Sequence, residues 1–383
     1  MKTSKKSENG SPHYIEGIIA SPAGYIPRVA ARLSFRDRLG AILVRWSVNR
    51  DNYRVDPGLY AAGTPTITSD VFVTANYKLS FDHLRRNLNG LNAWILVLDT
   101  HGINVWCAAG KGTFSTRELV KRIRITRLDE VISHRRIIVP QLGAVGVSAH
   151  QVKKLTAPVV PSSLEKGTAA QAYSGMKLLV DRSAKQEGFN VVYGPVRAKD
   201  IKDFVRNRYV TTPEMRKVSF TFSDRIKLIP VDFLYGKYKL LIAFALFFVL
   251  SGLSRKGISF QLALDTGPAA ILNIFLAYVA GIVLTPMALP HIPVRSFALK
   301  GFIMGAVVSG LSLLFYPSDR NYLDLISWFL IMCGISSFMA MNFTGSSTFT
   351  SLSGVKKEMK VAIPLQLGFS TLGVIFFILG KLI

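Results

Sequence analysis

Two cysteines, Cys107 and Cys333, are all the thiol chemistry in this chain of 383 residues. They are too few for a disulfide framework, and no Cys-x-x-Cys pair offers ligands to zinc or to an iron–sulfur cluster. Any reducing equivalents must therefore come from another protein. Cys107 is the thiol framed for chemistry, in Asp99-Thr-His-Gly-Ile-Asn-Val-Trp-Cys-Ala-Ala-Gly-Lys-Gly-Thr-Phe114. If a helix begins near Asn104, then Asn104, Cys107, Ala108 and Lys111 share one face at i, i+3, i+4 and i+7. Gly110 and Gly112 thin its far end at about 1 kcal/mol each against alanine, a cost that close packing or a broad planar cofactor would explain. In the first turn the helix dipole favours the thiolate, the form that ligates metals or attacks electrophiles. The competing reading of a lone cysteine is a small buried hydrophobe.

Two further loops carry turn chemistry that a ligand could use. Pro140-Gln-Leu-Gly-Ala-Val-Gly146 places two glycines three residues apart, where a flat ligand or a phosphate could approach the backbone. Tyr193-Gly-Pro-Val-Arg-Ala-Lys-Asp200 joins a Gly-Pro turn to Arg197 ahead of a helix near Lys199.

The elements that must position these loops are short apolar runs at 71–73, 94–99, 136–139 and 191–193, each followed by helix-like sequence. Continuous apolar strands alternating with helices predict a doubly wound, parallel α/β domain whose ligand lies beyond the strand carboxyl ends. The Gly-x-Gly-x-x-Gly fingerprint after a first strand is missing, which argues against a nucleotide-binding dehydrogenase.

Charge and hydropathy divide the chain near Tyr238. Mean hydropathy is +0.31, and the apolar excess is concentrated in runs at 239–253, 269–289, 297–316, 325–343 and 362–380. Five spans are predicted, because such runs approach the roughly 20 residues that cross a bilayer core. Of the net +24, the part up to Tyr238 holds +18, from 37 Lys and Arg against 19 Asp and Glu. On a tethered domain that surplus points to anionic headgroups and acidic partners, and no nucleic acid is expected. With this domain inside, the cytoplasmic loops hold Arg295, Lys300, Lys356, Lys357 and Lys360. The outer loops hold Arg255, Lys256 and Arg320 beside Asp319 and Asp324, a bias that favours the orientation. The basic opening lacks an apolar stretch and is not read as a secretory signal. Ionisable residues are nearly absent from the spans, with Asp265 at the edge of the second, so an anchor is favoured over a transporter. The hydroxyl-rich stretch 342–354 is read as a polar connection able to hold an anion or a partner loop.

The run Asn-Val-Trp-Cys-Ala-Ala-Gly-Lys-Gly at 104–112 resembles, at every position, the hallmark of the mercury-methylating corrinoid proteins (HgcA). The resemblance extends to Val73-Thr-Ala-Asn-Tyr-Lys-Leu-Ser-Phe-Asp82, to Tyr193-Gly-Pro-Val-Arg197 and to Asn342-Phe-Thr-Gly-Ser-Ser-Thr, covering about 55–383. It implies a Rossmann-like corrinoid-binding domain, similar to the large subunit of the corrinoid iron–sulfur protein, followed by an all-α membrane domain of five helices. The organisation expected is a basic leader at 1–54, a corrinoid domain at 55–225, a linker at 226–238 and the spans at 239–383, with the corrinoid domain on the cytoplasmic side of the cell membrane.

By the same resemblance Cys107 is the lower axial ligand of cobalt in a cobalamin or methylcobalamin. Asn104, Val105, Trp106, Ala108, Ala109, Gly110 and Lys111 form the cap. Thr74, Ala75 and Asn76 lie near the cofactor, with Gln141, Leu142, Gly143 and Ala144, and Tyr193, Gly194, Pro195, Val196 and Arg197, as contact loops. The activity implied is transfer of a methyl group to Hg(II), giving methylmercury, with the thiolate pushing electron density onto cobalt so that methyl leaves as a carbanion equivalent. The partners implied are a methyl donor of the folate and corrinoid pathway and a ferredoxin-like iron–sulfur protein (HgcB-type), as reductant and possible Hg(II) donor. Asp99-Thr-His101-Gly-Ile-Asn104 imitates the Asp-x-His-x-x-Gly signature of histidine-ligated cobalamin proteins, with asparagine where the last glycine should be. His101 is thus a rival to Cys107, the lesser one because it precedes the helix. Two alternatives stand beside this reading: a corrinoid methyl carrier of one-carbon metabolism with another acceptor, and a membrane corrinoid-binding scaffold or transporter.

Overall fold

The computed structural model describes residues 12–157, 187–315, 321–346 and 352–383. It forms two compact units: Met1–Val44 with Asn49–Lys217, and Arg45–Val48 with Val218–Ile383. The unit boundary falls at Val218 rather than at the expected 226.

The first unit is built on a seven-stranded sheet: β1 (Ile15–Ser21), β2 (Gly24–Val29), β3 (Gly58–Ala62), β4 (Val71–Ala75), β5 (Ala93–Leu98), β6 (Arg136–Val139) and β7 (Asn190–Tyr193), in the order β1-β2-β3-β5-β4-β6-β7. The four strands expected from the apolar runs are β4 to β7, and they pair in parallel. β4 and β5 are buried along their whole length, which is why they read as unbroken apolar runs rather than as alternation. The sheet as a whole is mixed. β3 pairs antiparallel to β5, and β1 and β2 form an antiparallel hairpin whose second strand pairs with β3. The segment expected to be a leader outside the domain therefore contributes two strands. Their alternating exposure, typical of an edge hairpin, hid them among the basic residues.

Helices α1 (Phe35–Arg45), α2 (Lys78–Asn87), α3 (Val105–Lys111) and α4 (Thr116–Ile125) follow in chain order. One core joins Val71, Val73, Leu96, Leu98, Ile137 and Val139 to Leu119 and Ile123 of α4 and to Val105 and Ala108 of α3. The opposite core joins Phe72, Ile95, Val97 and Ile138 to Phe81 and Leu84 of α2 and to Phe204. The sheet is thus covered on both faces. In the parallel part the order β5-β4-β6-β7 reverses direction between β4 and β6, the switch point beyond whose carboxyl ends ligands bind in open α/β sheets.

A buried ion cluster ties α1 and α2 together. Lys78 Nζ lies 2.6 Å from Asp37 Oδ1 and 2.7 Å from Asp82 Oδ2, and Arg85 reaches both carboxylates at 2.8 Å. Each charge is paired more than once, the condition under which buried ions are tolerated.

In the second unit, apolar helices stand at all five expected places, but three are long enough to cross a bilayer by themselves: Phe260–Ala288, Tyr322–Asn342 and Gly354–Leu382. Lys237–Ser251 has 15 residues and Phe297–Ser312 has 16. At 1.5 Å per residue these reach about 22 to 24 Å, short of a core of about 30 Å. The first of them becomes a fourth span if it is counted with Phe222–Tyr235, from which it bends by 55°. The second apolar helix starts nine residues earlier than predicted, so Asp265 lies inside it, where Gln261 Nε2 donates to its carboxylate at 3.4 Å. Lys300, expected in a loop, is buried in the first turn of its helix and donates to the carbonyls of Leu289 and Ile292 at 2.6 and 2.7 Å.

Small residues let these helices approach. A Cβ on Gly305 would meet Ser336 Cβ at 2.9 Å and Cys333 Cα at 3.0 Å, and Gly301 faces Ser336, Ser337 and Ala340 in the same way. This is the small-xxx-small contact of membrane helices, and it accounts for the burial of Cys333. Of the hydroxyl-rich stretch, 347–351 lies outside the described residues, as do Asp319 and Arg320.

Candidate functional site

The loop from β5 to α3 is clamped by one side chain. Asn76, at the carboxyl end of β4, is buried. Its Oδ1 accepts from Thr100 N at 3.0 Å, from Thr100 Oγ1 at 2.9 Å and from Gly102 N at 2.9 Å, and its Nδ2 donates to Asp99 Oδ1 at 3.2 Å. Asp99 Oδ1 in turn accepts from His101 N at 3.1 Å, across a tight turn in which His101 and Gly102 have φ of +57° and +76°. Glu118 Oε1 accepts from Asp99 N at 3.0 Å and is held by Arg122 at 2.7 Å. The loop is thus fixed from both neighbouring elements before α3 begins.

Asn104 is the N-cap of α3, so the helix begins where the sequence places it. Its Oδ1 accepts from Cys107 N at 3.0 Å, and its Nδ2 lies 3.6 Å from Cys107 Sγ. Cys107 is exposed. Val105, Ala108 and Ala109 face inward, while Trp106, Cys107, Gly110 and Lys111 face out. Ala108 therefore leaves the face it was expected to share with Cys107. Ala108 packs in the core because the short helix must bury one side against β4 and the 141–143 turn, and its only small apolar residues are on that side.

The glycines divide sharply by what they touch. Gly112 has φ of +79° and ends α3 as a left-handed C-cap, so it is no burden to the helix. A Cβ on Gly143 would strike the Phe114 ring, and one on Gly146 would strike the Phe114 carbonyl. The 140–146 glycines thus serve packing under α3 rather than ligand approach from solvent. Gly110 is different: a Cβ there would meet nothing within 4 Å. It pays a helix penalty that no contact among the described residues explains.

Of the remaining expected residues, Thr74 and Ala75 are buried in β4 and present little surface. Gln141, Leu142 and Ala144 are half-buried beside α3, and Val145, which follows them, is exposed. Tyr193 Oη donates to the Val147 carbonyl at 2.6 Å, linking the β7 loop to the β6 loop. Gly194 and Pro195 are buried, Gly194 N donates to Val139 O at 2.8 Å, Val196 N donates to Met215 O at 2.8 Å, and Arg197 is half-buried. His101 is exposed in the turn ahead of α3. Phe114, Thr100 and Glu118 shape the site without having been singled out. The Ser115-Thr-Arg-Glu118 helix-start pattern marks Glu118, although its carboxylate serves Asp99 rather than the cap. No group of three or more metal-ligating side chains exists among the described residues.

This stretch has relatives. Residues 46–167 match the family model described as CO dehydrogenase/acetyl-CoA synthase delta subunit. The acetyl-CoA decarbonylase/synthase complex subunit gamma of Archaeoglobus fulgidus is 29% identical over 141 residues, 34% of this chain and 30% of that protein. The subunit of the same name from Methanocaldococcus jannaschii is 35% identical over 92 residues, 24% of this chain and 19% of its own length. That from Methanopyrus kandleri is 31% identical over 93 residues, 24% and 20% of the two chains. The chain spans less than a third of the length of these relatives. The family match contains β3 to β6 and α3 with Cys107, and ends before the long apolar helices of the second unit.

Proposed function

We propose that the first unit is a corrinoid-carrying methyl-transfer domain, with Cys107 as the lower axial ligand of cobalt, and that the chain is a membrane-anchored methyltransferase whose acceptor is Hg(II). The observation that carries the reading is the outward stripe of α3: an exposed thiol beside Gly110, whose missing side chain no contact in the protein requires. A broad flat ligand fits such a face. Similarity to acetyl-CoA decarbonylase/synthase gamma subunits, and the family-model match over residues 46–167, support it.

A bound corrinoid supplies a cobalt centre that takes a methyl group from a donor and yields it to an acceptor. The chain's own part is to hold and tune that centre. Cys107 offers the sulfur, and Asn104 Nδ2, at 3.6 Å, donates to it and steadies a thiolate. Trp106, Gly110 and Lys111 form the exposed cap, and Val105, Ala108 and Ala109 seat it. Asn76 and Glu118 hold the loop that sets where the sulfur lies. A ferredoxin-like iron–sulfur partner supplies electrons, because two separated cysteines cannot ligate a cluster. We place the unit on the cytoplasmic side of the cell membrane.

The test is an anaerobic absorption spectrum of the full chain in lipid nanodiscs with cobalamin, beside Cys107→Ala. A sulfur-to-cobalt charge-transfer band present in the parent and missing in the variant is expected; identical spectra would sink the assignment. Similarity to subunits of an acetyl-CoA decarbonylase/synthase complex favours a second reading, a one-carbon methyl carrier with another acceptor. Methyl transfer timed with Hg(II) and with one-carbon acceptors separates the two, and a much faster rate with the latter would demote mercury.

A further inference from the structure

Helix α1 is inverted relative to an ordinary surface helix. Its inner side carries Asp37, Gly40 and Val44. Asp37 is buried in the ion cluster with Lys78 and Arg85, Val44 is fully buried, and a Cβ on Gly40 would meet Tyr53 Oη at 2.7 Å. Its outer side carries Phe35, Leu39, Ile42 and Leu43, exposed by 78, 42, 54 and 40%, and Trp46, 48% exposed, follows directly. At the α-helical repeat these four fall within an arc of about 100° opposite Asp37 and Val44. Arg36 lies at one edge of the arc, and Arg38 and Arg45 lie at the other. Arg36 and Arg38 are exposed and have no carboxylate within 4.0 Å among the described residues. The single acidic residue of the helix, Asp37, is turned inward, where cations neutralise it.

We propose that α1 is an interfacial helix: Phe35, Leu39, Ile42 and Leu43 insert at the boundary of headgroups and acyl chains, and Arg36 and Arg38 engage the phosphates of anionic lipids. Soluble surfaces rarely leave so continuous an apolar stripe uncovered. An apolar stripe bordered on both sides by arginine, with Phe35 at its start, matches an anionic bilayer interface, and apolar helices long enough to cross a membrane in the same chain bring that surface within reach. The proposal rests on the chain being bilayer-anchored. Spans in the same chain make the contact intramolecular, so a weak affinity suffices. The inner side of α1 is fixed to the sheet by the ion cluster, so insertion would fasten the methyl-transfer unit, and not a flexible tail, to the membrane surface.

The experiment uses the full chain in nanodiscs with spin-labelled lipids. The Trp46 signal is taken as the difference between the parent and Trp46→Phe. Expected is quenching by a label high on the acyl chain, stronger than by one near its end, and lost in the double variant Leu39→Glu/Ile42→Glu. Quenching should also fall when anionic lipid is replaced by zwitterionic lipid or when salt is raised. Trp46 open to acrylamide and indifferent to either label would overturn the proposal. Trp46 shielded from acrylamide yet unquenched by lipid would overturn it in favour of a protein partner on this face. Quenching indifferent to lipid charge would overturn the role of the arginines. Cobalamin binding by the same nanodiscs reads the function proposed above independently, so the two failures are distinguishable.

Discussion

Asn76 separates a positioning role from direct contact with a cofactor. In Asn76→Ala the amide N–H groups of Thr100 and Gly102 lose their acceptor. Thr100 is fully buried, and leaving its N–H unpaired costs about 1–3 kcal/mol. Gly102 is half-buried, so water restores part of its bond and the added loss is about 0.5–1.5 kcal/mol. The Thr100 hydroxyl adds nothing, because its proton still has the Ile103 carbonyl at 2.6 Å. The sum is about 1.5–4.5 kcal/mol, a factor of about 10 to 2,000 in the folded-to-unfolded ratio. Urea unfolding of the full chain in nanodiscs, followed by pulse proteolysis of the first unit, measures it. If Asn76→Ala unfolds within about 0.5 kcal/mol of the parent yet no longer binds cobalamin, Asn76 is a direct contact and the clamp argument fails.

Gly110→Ala should raise stability by about 0.5–1 kcal/mol without ligand, because its Cβ meets nothing, and should weaken cobalamin binding measured by titration. Gly146→Ala forces a methyl group onto the Phe114 carbonyl and should destabilise the unit by at least about 1–3 kcal/mol in the same urea assay. Burial opposes ionisation of Asp37, but hydrogen bonds from Lys78, Arg85 and His13 prevail and hold its carboxyl well below the usual range. Its contribution is therefore present above about pH 4 and lost as the pH falls below. Asp37→Asn should be less stable at pH 7 and lose less on acidification, read by near-ultraviolet circular dichroism. At the alkaline end burial pushes the Tyr14 hydroxyl up to about 12 and raises Tyr53 and Tyr60 as well. Stability should hold below about pH 10 and fall above it, in step with the 295 nm phenolate absorbance.

The parallel strands were legible because burial on both faces writes them as unbroken apolar runs, and the start of α3 was legible near Asn104, although its N-cap role emerged only with the structure. β1 and β2 were not. An edge hairpin has one solvated face, and Ile15 to Val29 alternates too weakly to stand out from a basic N-terminus. Cys107 was found by its neighbours, yet the face it occupies was misdrawn at Ala108, because spacing gives the repeat but not which side meets the core. The 140–146 glycines were misread for a related reason. A glycine needed for packing and one needed for a ligand look the same until the neighbour, here Phe114, is placed. In the membrane helices the apolar runs marked the places, while the ends of Phe260–Ala288 depended on Asp265 being tolerated inside a helix.

What remains after packing is subtracted is confined to one face. Gly143, Gly146 and Gly194 are each pressed against a neighbour, Gly112 is spent on a left-handed turn, and Asn76 and Glu118 are committed to the β5 loop. Cys333 is closed off by helix packing. Cys107 and Gly110 stay unspent, on a helix whose leading loop is fixed by hydrogen bonds from two elements. A protein that merely folded would have no need to combine a rigid loop with an exposed thiol and an unfilled helix position. Rigid positioning of a reactive group against open space is what holding a large ligand in one orientation demands.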